Sequence, residues 1–444
     1  MDPVVPRLLR GFRDYLPAKM IPRSEMLRKV EATFQRFGFV PLLTPAMEYY
    51  DILGGKYGDE GEKLLYRFRD QGDRDVALRY DLTVPLARVV AQYRDLIMPF
   101  RRYQIAPVWR AERPQRGRFR EFFQCDADIV GAPNMTADAE LLQLACELLS
   151  ELGVENYEIR LNNRKVLSGL MAQIGVARGK AENGVLQTID KLPKVGEEKT
   201  RESLRNDNGL DDAKVQTVCD FLGVAGDSEE VLKQLRGMFS DGVGAQGVEE
   251  VTQVFDVLDA VGLKKRVTID LSIARGLDYY TGTICEAFLT DLAGYGAVLG
   301  GGRYDGLIGT LKGEEVPAVG VSLGVDRLLE GLVELSLLEE RAAVTDVLVA
   351  LFEETAAYSA QVARELRTAG VGCELFPSFV KLGKQFRYAD RRGQRWVVVA
   401  GADEQAAGTV TVKDLSAGTQ ETVALAEAVQ QLSQAAPSSG GDSA

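Results

Sequence analysis

The chain has 444 residues, of which 45% are hydrophobic and 27% are charged, and its formal net charge is −12. A chain of this length is too long to fold around one ordinary hydrophobic core, so a globular protein of two or three domains is expected. Histidine is absent, which excludes every mechanism that needs an imidazole of the protein, including Ser-His-Asp and Cys-His hydrolysis. The five cysteines lie far apart without a Cys-x-x-Cys pair, so neither a disulfide framework nor a zinc site is indicated.

No apolar run reaches the roughly 18 residues that span a bilayer, and the N-terminus carries no signal-type apolar segment. The cytoplasm is therefore the expected compartment, and no membrane is expected as a partner. The acidic net charge argues against indiscriminate nucleic-acid binding, so DNA is not expected as a partner, whereas a local basic surface remains compatible with this charge.

The first predicted elements are a helix and a strand. Apolar residues at helical spacing predict a helix over residues 24–37, which Gly38 ends. A strand over residues 39–43 follows, and Pro45 stops it. A strand that ends in proline is consistent with a sheet edge, and a covered edge is a candidate subunit interface.

A second strand is predicted over residues 76–80, after a short run at 64–68, and it leads into a helix over residues 85–93. Pro85 suits the start of that helix. Asp81 and Thr83 lie at the junction between strand and helix. Their side chains suit N-capping and ligand binding alike, and the pattern leaves both open.

Residues 100–131 carry the most informative pattern. Seven arginines lie within twenty residues of this acidic chain and suggest phosphate binding: Arg101, Arg102, Arg110, Arg113, Arg116, Arg118 and Arg120. If residues 118–129 form a strand, alternate side chains point to opposite faces. The odd positions are then almost all core, and the even positions carry ligand-type groups: Arg118, Arg120, Phe122, Gln124, Asp126 and Asp128.

The even face has the length of a composite ligand. At roughly 3.3 Å per residue, Phe122 and Asp128 are about 20 Å apart, which accommodates a nucleotide base at one end and a small molecule at the other. Aspartate is a poor strand former, so two aspartates on this face call for a reason. The alternative is a solvated edge hairpin with a charged face.

A helix is predicted over residues 137–152 and a strand over residues 157–161, and the composition of the sequence changes after them. Residues 164–260 are polar helical segments without ligand-like clusters and are interpreted as an insertion. Strand patterns resume at residues 267–273, and glycine-rich runs follow at 274–282, 299–306 and 317–329. Glycine inside strands often marks close approach of a ligand, so these segments and the hairpin predict one antiparallel sheet with a ligand on its face.

The last part of the chain reads as a small α/β unit. Strands are predicted over residues 346–352, 372–376, 396–401 and 409–415, and helices over 356–369, 382–392 and from Glu421 onward. Residues 435–444 are predicted to be a disordered tail. The unit also has a basic cluster, which is either a binding surface or a solvated helix face: Lys381, Lys384, Arg387, Arg391, Arg392 and Arg395.

Several separated segments resemble the class II aminoacyl-tRNA synthetases, and among them the histidyl-tRNA synthetase family. PLLTPAME, WRAERPQRGRFREFFQ and GVSLGVDRLLE resemble motifs 1, 2 and 3 of the class, and ARGLDYYTGTICE and GGGRYDGL resemble histidyl-specific segments. The resemblance runs from RGFRD at residue 10 to the final helix. It implies an α+β fold, in which an antiparallel-sheet catalytic domain with a helical insertion precedes a C-terminal α/β anticodon-binding domain.

The implied domains are a catalytic core over residues 1–163 and 261–330, a helical insertion over 164–260, a linker over 331–344 and an anticodon-binding domain over 345–434. The implied activity is ATP-dependent ligation of L-histidine to its cognate tRNA through a histidyl-adenylate, with release of AMP and pyrophosphate. The implied enzyme is a homodimer that uses ATP with Mg²⁺ and has no resident metal.

The resemblance also implies site residues. For ATP they are Arg110 at the α-phosphate, Glu112 at the adenine amino group, Phe122 and Arg327 on the two faces of adenine, and Arg118 at the outer phosphates. For histidine they are Asp81, Thr83 and Gln124 at the α-ammonium group and Asp128 and Tyr280 at the ring nitrogens, with Tyr279 and Arg275 nearby. The implied catalytic arginines are Arg275 and Arg110, and the implied tRNA acceptor contacts are Arg113, Gln115 and Arg116.

This chemistry agrees with a chain that lacks histidine. The attacking carboxylate is already ionised at neutral pH, so adenylation needs placement and positive charge rather than a general base. One alternative is a non-catalytic relative that senses histidine and activates histidine biosynthesis, which the retained ATP arginines and the C-terminal unit disfavour. A class II enzyme for another amino acid is disfavoured by Asp128 and the Tyr279-Tyr280 pair.

Overall fold

The computed structural model describes residues 4–114, 117–274, 279–292 and 294–435. The chain divides into two compact units. One contains the residues up to Arg13 and Met26–Leu338, and the other contains Asp14–Glu25 and the residues from Glu339 onward. None of the helices in these ranges is long and apolar enough to cross a bilayer.

The first part of the chain alternates helices with short strands. Its first helix begins at Pro17 rather than at residue 24, because proline suits the first helical position, and it continues through Pro22. The elements are α1 (Pro17–Arg36), β1 (Val40–Pro41), β2 (Met47–Tyr49), α2 (Tyr50–Leu53), α3 (Gly58–Glu62), β3 (Arg67–Arg69), β4 (Asp75–Leu78), α4 (Thr83–Gln92), β5 (Phe100–Trp109), β6 (Glu121–Val130), α5 (Thr136–Glu151) and β7 (Tyr157–Asn163).

Residues 164–260 are helical, as the sequence predicts, although their extent as a separate domain stays a prediction. Helices α6 and α12 approach closely because both carry glycine at the contact: a Cβ on Gly169 would lie 2.5 Å from the Cα of Gly244. The elements are α6 (Arg164–Gln173), α7 (Lys180–Asp190), α8 (Leu192–Val195), α9 (Glu197–Asn206), α10 (Asp212–Leu222), α11 (Ser228–Met238) and α12 (Gly242–Ala260).

The remaining elements of the first unit complete its main sheet. They are a 3₁₀ turn (Lys264–Arg266), β8 (Val267–Ile269), β9 (Thr283–Leu289), β10 (Leu299–Arg303), α13 (Asp305–Lys312), β11 (Ala318–Gly324) and α14 (Val325–Glu334). The eight strands lie in the order β1-β5-β6-β11-β10-β9-β7-β8. All neighbours are antiparallel except the two end pairs, β1 with β5 and β7 with β8. The predicted antiparallel sheet is confirmed.

The second unit holds a five-stranded sheet in the order β13-β12-β14-β15-β16. Its first three strands are parallel and its last two join by antiparallel pairing. The elements are β12 (Val347–Val349), α15 (Ala356–Thr368), β13 (Cys373–Leu375), α16 (Leu382–Arg391), β14 (Trp396–Val399), α17 (Ala402–Ala407), β15 (Thr409–Asp414), β16 (Gln420–Ala424) and α18 (Leu425–Ala435).

The prediction of a helix from Glu421 is wrong. Residues 420–424 form β16, and the helix begins only at Leu425. Gly418 adopts a φ of 71° in the preceding turn, which glycine tolerates, and the chain then pairs with β15 over five residues. Within the predicted tail, Ala435 ends α18, and the rest lies outside the described residues.

Candidate active site

A cavity of about 460 Å³ opens on the face of the main sheet. All the predicted ATP and histidine residues that the structure describes line it: Asp81, Thr83, Arg110, Glu112, Arg118, Phe122, Gln124, Asp128, Tyr279, Tyr280 and Arg327. Arg113 is exposed and is not among the lining residues. Arg275, Gln115 and Arg116 lie outside the described residues.

Strand β6 supplies the floor of the cavity. Its even positions Phe122, Gln124, Asp126 and Asp128 line the cavity, as the alternation of side chains predicts. The regular strand begins at Glu121 rather than at residue 118. The even face therefore forms a continuous row from an aromatic ring at one end to two carboxyl groups at the other.

The acidic end is built from two strands and a tyrosine. Arg102 lies opposite Asp128 in the β5–β6 register, and Arg102 Nη2 is 2.8 Å from Asp128 Oδ2. The Tyr304 hydroxyl donates a hydrogen bond to Asp128 Oδ1. Gly320 is the β11 neighbour of Asp128, and a Cβ there would lie 1.9 Å from Asp128 Oδ1. This glycine therefore makes room for the carboxylate.

Three of the seven clustered arginines form ion pairs with carboxylates, and one of them, Arg118, pairs with Glu112 inside the cavity. The other two correct the interpretation of the whole cluster as phosphate-binding. Arg102 is fully buried beside Asp128, and Arg101 forms an ion pair with Glu140. The number of arginines in the segment does not reveal the ion pairs of Arg102 and Arg101, because the partner carboxylates come from β6 and α5.

Asp126 is a third buried acid of the cavity that the sequence analysis did not assign. Burial raises its pKa to about 7, with the nearby Arg102 opposing the shift and Asp128 adding to it. Burial also raises the pKa of Asp128, again against the effect of Arg102. Two carboxyl groups thus lie near one guanidinium, and their environment favours retention of a proton.

Asp81 makes a capping contact and also lines the cavity, so its position is compatible with both roles that the sequence left open. Its Oδ1 accepts hydrogen bonds from the Val84 amide at 3.0 Å and from the Tyr57 hydroxyl at 3.2 Å, so it stabilises the first turn of α4. Its Oδ2 accepts from the Tyr279 hydroxyl at 3.4 Å. Burial raises the pKa of this carboxyl group, and the group lines the cavity.

The opposite end of the cavity is cationic and aromatic. The Arg110 guanidinium carbon lies 4.2 Å from the centre of the Tyr80 ring and 5.0 Å from that of Phe122. Arg327 donates to the Ala297 carbonyl at 2.7 Å. Its pKa is lowered by burial and by the positive charge of Arg118, so these two guanidinium groups face the same space.

Several buried polar atoms of the cavity have no hydrogen-bond partner within the protein. They include Gln124 Oε1 and Asp126 Oδ1. The amide nitrogen of Gln124 is bound to the Ser322 hydroxyl at 2.6 Å, so its oxygen is the available end. Buried polar groups are normally satisfied, and this set suits a ligand that brings hydrogen-bond donors.

Three contributors were missed by sequence reasoning: Arg102, Asp126 and Tyr304. Asp126 was visible as a second aspartate on the even face. Tyr304 belongs to the GGGRYDGL segment, for which the family resemblance implied no role of the tyrosine ring. Within the described ranges, no group of three or more Asp, Glu or Cys side chains is arranged to hold a metal ion.

Comparisons with known proteins agree with this geometry. Residues 11–328 match the family described as histidyl-tRNA synthetase, and residues 346–435 match the family described as anticodon binding domain. The histidine–tRNA ligase of Rhodopirellula baltica is 42% identical over 425 residues, which cover 95% of this chain and 96% of that protein. That of Wolinella succinogenes is 42% identical over 436 residues, covering 97% and 98%.

A solved structure of similar size has the same fold. The crystal structure of histidyl-tRNA synthetase from Nostoc superposes with a TM-score of 0.87 at 32% identity, covering 98% of this chain and 100% of that one. The match to the histidyl-tRNA synthetase family covers most of the chain and includes every strand of the sheet that carries the cavity. This chain belongs to the histidyl-tRNA synthetase family.

Proposed function

We propose that this chain is a histidine–tRNA ligase that activates L-histidine with ATP and transfers it to its cognate tRNA, and that the cavity on β6 is its catalytic site. The observation that carries the proposal is the difference in chemical character between the two ends of the cavity. One end gathers guanidinium groups and an aromatic ring, and the other gathers buried carboxyl groups with unsatisfied oxygen atoms.

At the cationic end, Phe122 and Arg327 hold the two faces of adenine, and Glu112 accepts from its amino group. Arg118 neutralises the outer phosphates, and Arg110 binds the α-phosphate. Guanidinium suits these roles because it is planar, permanently charged and bidentate. ATP enters with Mg²⁺, and the Glu286 carboxylate that lines the cavity is the hard oxygen ligand that this ion prefers.

At the acidic end, Asp81, Thr83 and Gln124 bind the α-ammonium group of histidine. Asp128 and Tyr280 bind the two ring nitrogens, with Tyr279 packed against Tyr280 at 4.9 Å between ring centres. Unpaired buried groups penalise an amino acid that lacks matching partners. The acidic end therefore selects for a side chain that brings two ring nitrogens.

The reaction has two steps. The histidine carboxylate oxygen attacks the α-phosphorus, and the bond to the leaving pyrophosphate breaks. A ribose hydroxyl at the end of the tRNA then attacks the activated carbonyl carbon, the bond from that carbon to the AMP oxygen breaks, and the hydroxyl proton leaves with AMP. Arg110 and Arg275 stabilise the charge that develops on the α-phosphate, and no protein imidazole takes part.

The tRNA contacts are assigned to two surfaces. Arg113, Gln115 and Arg116 are assigned to the acceptor end, because they lie in sequence between Arg110 and Arg118, which line the cavity. The second unit binds the anticodon through its basic cluster, whose members Lys381, Lys384, Arg387, Arg391 and Arg395 are exposed. The reaction takes place in the cytoplasm, where tRNA is charged for translation.

The enzyme is proposed to act as a homodimer. An exposed apolar surface surrounds edge strand β1, and large exposed patches mark interaction sites. Leu43, which is 79% exposed, lines one groove there together with Met47, Tyr49 and Tyr93, and Val40 lies in β1 itself. Sedimentation of Leu43→Asp should show monomers if this surface pairs two copies, whereas an unchanged dimer would reject it.

Histidine-dependent exchange between ATP and pyrophosphate tests the first step, and charging of tRNA tests the second. Exchange should require histidine and should fall by two orders of magnitude or more in Arg110→Ala, about what the loss of one transition-state charge contact costs. Arg36→Ala is the control, because the ion pair of this arginine with Glu151 is exposed and Arg36 does not line the described part of the cavity. Folded wild-type protein without exchange would refute the proposal.

A further inference from the structure

Residues 10–13, here called the N-terminal strap, bind two elements that flank the cationic end of the cavity. Its first two residues form a turn, in which the Phe12 amide donates to the Leu9 carbonyl at 3.1 Å. Its side chains are not among the described residues that line the cavity. Any effect of the strap on the reaction is therefore indirect.

The first contact is with the segment that carries the proposed phosphate ligands. The Arg120 amide donates to the Gly11 carbonyl at 2.8 Å, and the Arg120 carbonyl accepts from the Arg110 amide at 2.9 Å. Gly11 has a φ of 88°, and a Cβ there would lie 2.8 Å from Pro114 Cγ. The strap is thus hydrogen-bonded to the same residue that fixes the backbone of Arg110.

The second contact is made by Arg13 and joins two elements. Its Nη1 lies 2.6 Å from Glu330 Oε1, and its Nη2 lies 3.2 Å from Asp326 Oδ1 on the first turn of α14. The second oxygen of Asp326 accepts from the Phe123 amide of β6 at 2.9 Å. Arg13 also lies over the Phe119 ring, 3.8 Å from its centre.

Two partners of Arg13 are next to residues assigned to ATP: Asp326 precedes Arg327, and Phe119 follows Arg118. Phe123, whose amide is bound to Asp326, follows Phe122. Asp326 is almost fully buried and lines the cavity, and its two carboxylate oxygens are bound by Arg13 and by the Phe123 amide. A shift of Asp326 changes the distance between Phe122 and Arg327, which are assigned to opposite faces of adenine.

We propose that Arg13 is a positioning residue for ATP, which holds α14 against β6 so that Phe122 and Arg327 stand at the spacing of a bound adenine ring. The proposal rests on the ATP assignments made above. It predicts a selective effect, because the histidine end lies further along β6 and has no bond to the strap among the described contacts.

Steady-state ATP–pyrophosphate exchange tests this inference. Arg13→Ala should raise the KM for ATP by about tenfold or more, since small misplacements of binding groups have effects of this order. The KM for histidine should stay within about twofold of the wild-type value. Arg13→Lys should restore part of the affinity for ATP, because it keeps the charge and loses the bidentate fork.

Arg7→Ala is the matched control and should leave both KM values unchanged, because Arg7 lies in the exposed segment that precedes the strap. An equal rise in both KM values, or an unchanged KM for ATP in folded Arg13→Ala, would overturn the inference. If Arg13→Ala does not fold, Glu330→Gln removes the charge of only one partner, and a folded Glu330→Gln protein with an unchanged KM for ATP would also overturn it. Loss of exchange in the wild-type enzyme would count against the proposed function instead.

Discussion

Arg102 and Asp128 form a buried ion pair across the β5–β6 hairpin, with 2.8 Å between Nη2 and Oδ2 and side-chain exposures of 0% and 3%. Because Asp126 lies beside the pair on the same face, one guanidinium serves two carboxyl groups. The charge balance of the proposed histidine end therefore depends on an arginine that comes from the neighbouring strand.

Arg102→Met should destabilise the fold and weaken histidine binding. Removal of one partner from a buried pair leaves an uncompensated charge and costs about 3–5 kcal/mol. Denaturant unfolding should show this loss, and exchange assays should show a higher KM for histidine. Arg101→Met is the control, since its ion pair with Glu140 is about one-third exposed and such pairs contribute at most about 1 kcal/mol.

Asp126→Asn should change how stability depends on pH. The pKa of Asp126 is raised by burial to about 7, above that of an unfolded aspartate. Such a group contributes stability below its unfolded pKa, and this contribution is lost as pH rises through about 7. The free energy of unfolding of the wild-type protein should therefore fall relative to Asp126→Asn between about pH 4 and pH 7. Parallel curves for the two proteins would contradict this assignment.

The sequence pattern predicts the face of β6 correctly because alternation is a local property of the strand. Gln124 and Asp128 could be assigned from this pattern and the family resemblance. The contacts of Arg102 and Tyr304 with Asp128 could not be predicted from the sequence. They depend on strand register and on the position of β10 in the sheet, which are set by pairing between segments that are distant in sequence. The error at Glu421 has a similar cause, since a turn and pairing with β15 outweigh local helix propensity.

Gly320→Ala should impair histidine binding and spare ATP binding. The added Cβ would lie 1.9 Å from Asp128 Oδ1, a distance that forces the carboxylate to change its position. Exchange assays should show a raised KM for histidine, with the KM for ATP within about twofold because the cationic end of the cavity is untouched.

Gly237→Ala is the matched control for that variant. No atom lies within 4 Å of a Cβ at Gly237, and this residue lies inside α11. Alanine there should leave both KM values unchanged and stabilise the protein by about 0.5–1 kcal/mol. Equal kinetic effects of the two glycine variants would show that the space beside Asp128 is not responsible.

Two substitutions at Asp81 should separate its structural role from its proposed binding role. Asp81→Asn keeps a side-chain oxygen that can accept from the Val84 amide, so the free energy of unfolding should change little, whereas the lost charge should raise the KM for histidine. Asp81→Ala removes both functions and should in addition destabilise the fold by about 0.5–2 kcal/mol, as for other helix caps. If Asp81→Asn bound histidine as tightly as the wild-type enzyme, the carboxylate would act on α4 alone, and the α-ammonium group would have to be bound elsewhere.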